Sequence, residues 1–428
     1  MIFIAYLVLF LSYLNLLRLA LFLIGSDIYD IKKGLDGKSE RSVGQKKRNH
    51  YPIVSVLVPA HNEEAVLRRN LDSVYANTYK NIELIIINDS STDKTYSIAR
   101  YFQQRFKTRF SKIKVLNVNV RGKASALNIG LRYAEGSLFM CLDADSTLDS
   151  KSIEIAVKEF SDPKVATIAA NVKIMPGKGM LNTFQQIEYL IGQQGKKMEN
   201  LASIQYIVGG VGSMFRTKLV REAGLYDTDT ITEDIDLSVK LISHHGTKYR
   251  IGYSPDIITY TESVTSVPDL LRQRFRWKYG RYQVFLKFRH LFFSRDIKHN
   301  KLLSWVYLPY ALVSEFLYTL EPLVFILIVT LLVQYGDATI IAGSFIVFSF
   351  YTIMQITAAT GGYTQLDRIR LVALAPAAYI GMYVLSFVEY TATIRGYKNL
   401  YRIYKNLKNG SGTSAWKHVK RSGHAVIT

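Results

Sequence analysis

Short apolar runs alternate with longer segments of helical periodicity between residues 52 and 260. The runs end in polar turns, and they are Ile53–Val58, Leu84–Asn88, Lys114–Val118 and Leu138–Leu142. Helical periodicity is clearest at Glu63–Tyr75 and Asp93–Phe106. This alternation predicts an α/β fold, with a mostly parallel sheet covered by helices on both faces. Ligands of such sheets bind beyond the carboxyl ends of the strands, so polar residues there are the first candidates for chemistry.

Long apolar segments flank this region on both sides. Residues 2–24 carry Arg18 as their one charge and are long enough to cross a bilayer as a helix. They lack a basic start and a small-residue cleavage site, which favours an uncleaved anchor over a signal peptide. Further spans are predicted near 311–333, 339–360 and 371–392.

Basic residues follow the apolar segments at both ends. Lys and Arg cluster between residues 32 and 48, and the positive-inside rule places that side in the cytosol, as part of a multi-pass protein of the cell membrane. The tail from Arg395 is also basic and is expected in the cytosol. Three crossings that start in the cytosol would leave this tail outside, so the number of crossings stays open. Either one segment re-enters without crossing, or residues 301–333 cross twice.

The chain has a net charge of +20 over 428 residues, which indicates an anionic partner. Because the basic clusters flank apolar segments, they predict contact with anionic membrane lipids. The chain carries no nucleic-acid recognition signature, so nucleic acid is not an expected partner. The single cysteine, Cys141, excludes a disulfide within the chain and a Cys-rich metal site.

These patterns divide the chain into six parts. They are an N-terminal membrane anchor (1–28), a basic cytosolic linker (29–50), a catalytic domain (51–265), interfacial helices (266–302), a membrane bundle (303–394) and a basic cytosolic tail (395–428). The interfacial part is basic, aromatic and amphipathic, which is typical of a helix that lies on a membrane surface.

Polar residues follow the first two predicted strands. Asn62 and Glu63 come after the first, and Asp89 comes after the second. A carboxylate at Asp89 can accept a hydrogen bond from a nucleotide base. Helix capping is the alternative role for these residues, although capping by Thr92 or Asp93 would leave Asp89 available for binding.

A helix begins at Gly122 and Lys123. A helix N-terminus with a lysine suits a phosphate group, but the glycine spacing is not that of a P-loop. A solvated surface lysine is an equal alternative for Lys123.

Two carboxylates, Asp143 and Asp145, stand on alternate residues where the fourth apolar strand ends. Burying both without compensation is costly. A divalent cation, Mg²⁺ or Mn²⁺, resolves this because such ions prefer hard oxygen ligands and substrate phosphates. A surface loop with two solvated acids is the alternative.

Glu233 and Asp234 stand at the start of another predicted helix, with Thr232 as its cap. The functional interpretation is a general base, Asp234, that takes the proton of an acceptor hydroxyl. Helix capping alone would also explain these acids.

The interfacial segment contains Gln273, Arg276 and Trp277. Arg276 can pair with a diphosphate, and Trp277 offers a flat apolar face to a sugar ring. The same residues are typical of side chains that snorkel at a membrane surface. We expect both roles here.

In their order along the chain, these motifs resemble the processive family-2 glycosyltransferases. This group includes the cellulose, chitin, hyaluronan and poly-N-acetylglucosamine synthases, and the resemblance covers about residues 50–290. It implies a GT-A domain against a transmembrane bundle. It also implies inverting transfer from a UDP-sugar donor to a growing polysaccharide and secretion through the bundle. Whether an accessory membrane subunit is a further partner stays open from the sequence.

The residues within and beside the motifs narrow the identity of the polymer. Residues 230–238 and 284–287 are most similar to poly-β-1,6-N-acetylglucosamine synthases, which implies UDP-N-acetylglucosamine as the donor. Hyaluronan, chitin or cellulose-type synthesis stays an alternative. Non-processive transfer to a lipid acceptor is a second alternative, and a non-enzymatic transporter is a third that the acids at the strand ends argue against.

The resemblance also assigns roles on the donor side. Asp89 would contact the uracil, and Lys123 would lie near the diphosphate. Asp143 would bind the nucleotide, and Asp145 would bind the metal. Two positions depart from the pattern, since Asn88 stands where many relatives carry a second acid, and His61 where many carry Ser or Thr.

On the acceptor side, the resemblance makes Asp234 the base, next to Glu233. Gln273 and Arg276 would hold the diphosphate, and Trp277 would stack on the acceptor sugar. Two further groups of residues complete the set, namely Gly212 and Ser213 in an acceptor-facing loop, and Trp416, Lys420 and Arg421 in a tail segment that could close over the nucleotide. For the tail, a basic lipid-facing segment is the equal alternative.

Overall fold

The computed structural model describes residues 2–42, 51–120, 122–317, 339–359 and 362–409, together with scattered positions between 319 and 336. Its strands are β1 (Val54–Ala60), β2 (Ile82–Asp89), β3 (Lys112–Val118), β4 (Leu138–Cys141), β5 (Ser146–Leu148), β6 (Val165–Ile174), β7 (Met214–Arg216) and β8 (Arg250–Thr261). The first four strands lie where the apolar runs predict them.

Helices connect these strands and continue beyond the last one. They are α1 (Ile2–Ser42), α2 (Leu67–Tyr75), α3 (Thr95–Arg105), α4 (Lys123–Tyr133), α5 (Ser152–Glu159), α6 (Met180–Leu201), α7 (Thr217–Glu222), α8 (Glu233–His245), α9 (Val267–Lys287), α10 (Leu308–Leu317), α11 (Thr339–Ala358), α12 (Gln365–Lys398) and α13 (Leu400–Lys408). A π-helical turn at Leu303–Tyr307 leads into α10.

The strands form one mixed sheet in the order β3-β2-β1-β4-β7-β6-β8-β5. β1 to β4 pair in parallel, as do β6 and β8. β7 runs antiparallel to both β4 and β6, and β5 runs antiparallel to β8. The expectation of a mostly parallel sheet therefore holds for the first half and is wrong for the second. β5 and β7 have three residues each, too few to produce a period-2 pattern in the sequence.

Helices cover both faces of the sheet, as predicted. On one face, α2, α3 and α5 pack against every second residue of β1 and β2, such as Val56 and Leu84. On the other face, α4, α7 and α8 pack against the alternate residues, such as Leu57 and Ile85. Both faces of these strands are thus buried, which explains their continuous apolar runs.

The helix α1 is continuous over 41 residues, which is about 60 Å and roughly twice the thickness of a bilayer core. Its later half packs on the α/β domain. Asp30 accepts a hydrogen bond from Lys197 at 2.6 Å, and Lys33 pairs with Asp256 at 2.6 Å. The predicted linker therefore begins as helix, and residues 43–50 lie outside the described part of the chain.

In the described part of the chain, two helices have the length and the apolar composition needed to cross a membrane, α11 over Ile341–Ala358 and α12 over Gln365–Lys398. They coincide with the spans predicted at 339–360 and 371–392. The span predicted at 311–333 falls largely on residues that are not described.

Candidate active site

The loops after β1 and β2 are tied together by the first pair of motif residues. Asn62 has a positive φ of 56°, and its Oδ1 accepts a hydrogen bond from Thr92 N at 2.8 Å. Glu63 N donates to Thr95 Oγ1 at 2.8 Å. Asn62 and Glu63 thus lie at the carboxyl end of β1 and join it to the loop after β2. Their contact with substrate stays a prediction.

The carboxylate of Asp89 is buried and holds the loop before α4. Its Oδ1 accepts a hydrogen bond from Val120 N at 2.9 Å, and its Oδ2 accepts one from Gly122 N at 2.8 Å. His61 Nδ1 lies 2.5 Å from the Asp89 carbonyl oxygen and donates to it. The base contact expected of Asp89 stays a prediction, and the structure adds a second task, which is to shape the Gly-Lys turn.

Lys123 pairs with two carboxylates of the candidate site. Its Nζ lies 2.7 Å from Asp143 Oδ1 and 2.8 Å from Glu233 Oε1, so the first turn of α4 meets the end of β4 and the start of α8. Burial acts to lower the pKa of Lys123, but the two carboxylates outweigh it and raise this pKa well above its usual value. The alternative of a solvated surface lysine is therefore wrong.

Asp143 and Asp145 are candidate ligands for a divalent cation. Burial raises the pKa of Asp143 to about 6, with the charge of Asp145 adding to the rise and Lys123 opposing it. Two carboxylates that repel each other at a strand end, and that offer hard oxygen ligands, suit Mg²⁺ or Mn²⁺. One ammonium at Asp143 compensates only part of that charge.

Asp234 stands in the first turn of α8. Its Oδ2 accepts a hydrogen bond from Gly210 N at 2.9 Å, and its Oδ1 accepts one from Ile235 N at 2.9 Å. Burial and the charge of Glu233 raise the pKa of Asp234, while Lys123 opposes the rise. A partly exposed carboxylate with a raised pKa suits a general base.

The segment before β7 approaches this base with its backbone. A Cβ at Gly210 would lie 3.1 Å from Lys123 Nζ, so a side chain there would crowd the ammonium. Gly212 has a positive φ of 69° and donates from its N–H to the Cys141 carbonyl at 2.7 Å. Ser213 is 1% exposed, and its Oγ accepts a hydrogen bond from Ala170 N at 3.4 Å. Its hydroxyl therefore faces the sheet, and the loop lines the site with backbone.

Helix α9 carries the Gln273–Trp277 motif. Gln273 is buried and Arg276 is exposed. Against the effect of burial, Lys123 holds the pKa of Glu233 below its usual value, and Arg276 contributes to the same shift. Arg276 thus shares an electrostatic environment with the acids at the start of α8. The ring of Trp277 is covered by the Arg274 guanidinium, 4.5 Å from the ring centroid.

A buried ion cluster lies beside Trp277, and its acidic members were missed in the sequence because they come from distant helices. Lys278 Nζ lies 2.6 Å from Glu315 and 3.0 Å from Glu389, and Arg274 pairs with Glu188 at 2.7 Å. These side chains, with Trp277, line a cavity of about 270 Å³. The cavity therefore joins the motif on α9 to α6, α10 and α12.

The structure brings Asp89, Lys123, Asp143, Glu233 and Asp234 together through the contacts above. The tail residues Trp416, Lys420 and Arg421 lie outside the described part of the chain. Their predicted closing role stays a prediction.

The chain is similar in sequence to known proteins. Residues 55–224 match the model of the family described as glycosyl transferase family 2. The poly-β-1,6-N-acetyl-D-glucosamine synthase of Staphylococcus epidermidis strain RP62A is 30% identical over 340 residues, which cover 77% of this chain and 79% of that protein. The synthase of the same name from Staphylococcus aureus strain COL is 34% identical over 237 residues, 55% of this chain and 56% of that protein.

A solved structure has a similar fold. A mannosyltransferase from Pyrobaculum calidifontis, in complex with GDP-Man and Mn²⁺, gives a TM-score of 0.55 at 20% identity. The match covers 90% of this chain and 98% of that one. The mixed sheet with its flanking helices is thus a GT-A-like fold.

Proposed function

The chain belongs to glycosyltransferase family 2, and from that premise we propose that it transfers N-acetylglucosamine from UDP-N-acetylglucosamine to a growing β-linked polysaccharide. The synthase names of the relatives support the sugar and the polymer. The observation that carries the proposal is the position of Lys123, whose ammonium contacts both Asp143 and Glu233. These contacts support the proposal because they join two residues expected to bind the donor to Glu233, the neighbour of the candidate base.

On the donor side, Lys123 and Arg276 supply positive charge for the diphosphate, and Gln273 supplies a hydrogen bond. The loop that Asp89 holds presents the turn before α4 to the nucleotide. Asp143 and Asp145 would hold a divalent cation, which would supply positive charge for the leaving diphosphate.

On the acceptor side, Asp234 accepts the proton of the acceptor hydroxyl. The freed oxygen forms a bond to the anomeric carbon while the bond from that carbon to the diphosphate breaks, and UDP leaves. A single displacement of this kind inverts the α-linked donor to a β-linked product. The hydrogen bonds from Gly210 and Ile235 orient the Asp234 carboxylate for this step.

Our proposal includes membrane association and polymer export, which we infer from the cavity beside Trp277. The cavity beside Trp277 opens between α9 and the helices α10 and α12, of which α12 is long and apolar enough to cross a membrane. The polymer would stack on Trp277 and pass into the bundle, with the catalytic domain in the cytosol. Repeated transfer without release would then lengthen the chain.

A donor panel tests this function. Purified full-length protein in detergent, with Mn²⁺ or Mg²⁺, is given UDP-N-acetylglucosamine, UDP-glucose and UDP-glucuronic acid one at a time, and UDP release is measured. We expect release with UDP-N-acetylglucosamine and a polymeric product. Release with another donor alone would reassign the polymer, a product of one or two sugars on lipid would contradict processivity, and no release with any donor would contradict transfer.

A further inference from the structure

One face of α9 contacts the segment that leads into the candidate base. The contacting residues, Gly280, Gln283 and Lys287, are spaced by three and four positions and so share a face of the helix. A Cβ at Gly280 would lie 2.3 Å from Thr232 Oγ1, so the absence of a side chain permits this approach. Gln283 Oε1 accepts a hydrogen bond from Ile231 N at 2.9 Å.

Lys287, the third residue of this face, makes three ion pairs. Its Nζ lies 2.7 Å from Asp227 Oδ2, 2.7 Å from Asp229 Oδ1 and 2.9 Å from Asp236 Oδ2. The three carboxylates have oxygens within 4.8 Å of one another, and the three donors of the ammonium match them one to one. The side chain of Asp236 is 0% exposed, and that of Lys287 is 19% exposed, so water screens the contact between these two residues little.

The position of these residues in the chain gives the ion pairs a consequence for the site. Asp227 and Asp229 precede α8, whereas Asp236 lies in its first turn, two residues after Asp234. Lys287 lies on the helix that also carries Arg276. The ammonium therefore joins the element of the base to the element of the candidate diphosphate ligand.

We propose that Lys287 is a positioning residue for the transfer reaction, which locks the first turn of α8 against α9 so that Asp234 keeps its place relative to Arg276. This inference rests on the proposed function. Lys287 acts through Asp236 and the preceding loop, and Gln283 supports it at Ile231. Small displacements of catalytic groups are costly for rate, on the order of a hundredfold for about 1 Å.

Lys240 offers a matched control. Its Nζ pairs with Asp227 at 2.7 Å but belongs to α8 itself, and its other hydrogen bonds go to the carbonyls of Gly224 and Leu225. Lys240→Met thus removes an ammonium from the same carboxylate cluster without cutting the link between α8 and α9.

The test compares Lys287→Met, Lys287→Arg and Lys240→Met with the full-length wild type, by UDP release from UDP-N-acetylglucosamine with Mn²⁺. We expect Lys287→Met to lower kcat by about tenfold or more, with the donor KM changed by less than about twofold. Lys287→Arg should recover part of kcat, and Lys240→Met should keep it. An unchanged kcat in Lys287→Met, or an equal loss in Lys240→Met, would overturn the proposal.

Two further measurements keep the proposal testable if Lys287→Met misfolds or if the wild type transfers no sugar. Lys287→Met/Asp236→Asn removes the buried charge together with the ammonium, and the same loss of kcat is expected; a wild-type kcat would overturn the proposal. Amide hydrogen exchange at residues 229–236 should speed up in Lys287→Met even if the wild type transfers no sugar, in which case only the proposed function fails. Unchanged exchange would contradict the link itself.

Discussion

Lys123 Nζ lies 2.7 Å from Asp143 Oδ1, which joins the first turn of α4 to the end of β4. The same ammonium reaches Glu233 at 2.8 Å, next to Asp234. The side chains of Lys123, Asp143 and Glu233 are 12% to 28% exposed, so their charges interact in a partly desolvated site. One lysine thus joins Asp143, a candidate donor ligand, to Glu233, the neighbour of the candidate base.

Removing this ammonium should impair catalysis. Lys123→Met leaves two carboxylates without their cation, and we expect kcat/KM to fall by about a hundredfold or more. The matched control is Lys114→Met, because Lys114 also bridges two carboxylates, Glu83 at 2.7 Å and Glu135 at 3.1 Å, away from the site. UDP release measured on both variants separates the two cases, and equal losses would contradict a catalytic role for Lys123.

The base assignment predicts a loss of rate without a loss of binding. Asp234→Asn keeps the shape of the side chain but cannot accept the proton, so kcat should fall by about a hundredfold or more. The affinity for UDP, measured by calorimetry, should stay within about twofold, because Asp234 is assigned to the acceptor. Asp162→Asn, at a surface ion pair with Arg250, serves as the control. Surviving transfer in Asp234→Asn would remove it from the base role.

The pH dependence of kcat should report the raised pKa of Asp234. Burial and the Glu233 charge raise this pKa above its ordinary value of 3.8. The base works only when deprotonated, so kcat should fall as the pH drops through the raised pKa. Glu233→Gln removes one cause of the rise and should move the acid limb to lower pH. A limb that stays in place, or moves up, would contradict the assigned coupling.

The motif residues and the first half of the sheet could be predicted from the sequence because their signals are local. The apolar runs of β1, β2 and β4 are each buried on both faces, and β3 at the edge of the sheet is half-buried. Each run ends at a turn with a polar side chain. Residues such as Asp89 and Asp143 therefore fall at the ligand-binding edge by sheet geometry alone. The family assignment, which depends on the order of these motifs, is confirmed.

Contacts between distant elements could not be predicted in this way. Glu315 meets Lys278 across 37 positions in the chain, and no local pattern links them. In the sequence, nothing distinguishes Lys287 and its three carboxylates from other charged residues, because they meet only when α8 and α9 pack together. The second task of Asp89 also depends on where the following loop returns, which the periodicity of a strand does not report.

The ion cluster beside Trp277 predicts a stability difference between two glutamates. Glu315→Gln leaves Lys278 and Arg281 with less compensation at a side chain that is 1% exposed, and breaking such a pair costs about 3–5 kcal/mol. Glu154→Gln breaks an exposed pair with Lys158 in α5 and should cost less than about 1 kcal/mol. Thermal unfolding in detergent compares the two, and equal midpoints would contradict a structural role for the cluster.

The configuration of the new glycosidic bond tests inverting transfer to a polymer most directly. Full-length protein is incubated with UDP-N-acetylglucosamine and Mn²⁺, and the product is examined by proton NMR for its anomeric coupling and its length. A β-linked polymer of N-acetylglucosamine is the expected result, together with no product from Asp234→Asn. An α-linked product, or free N-acetylglucosamine alone, would contradict single displacement at Asp234.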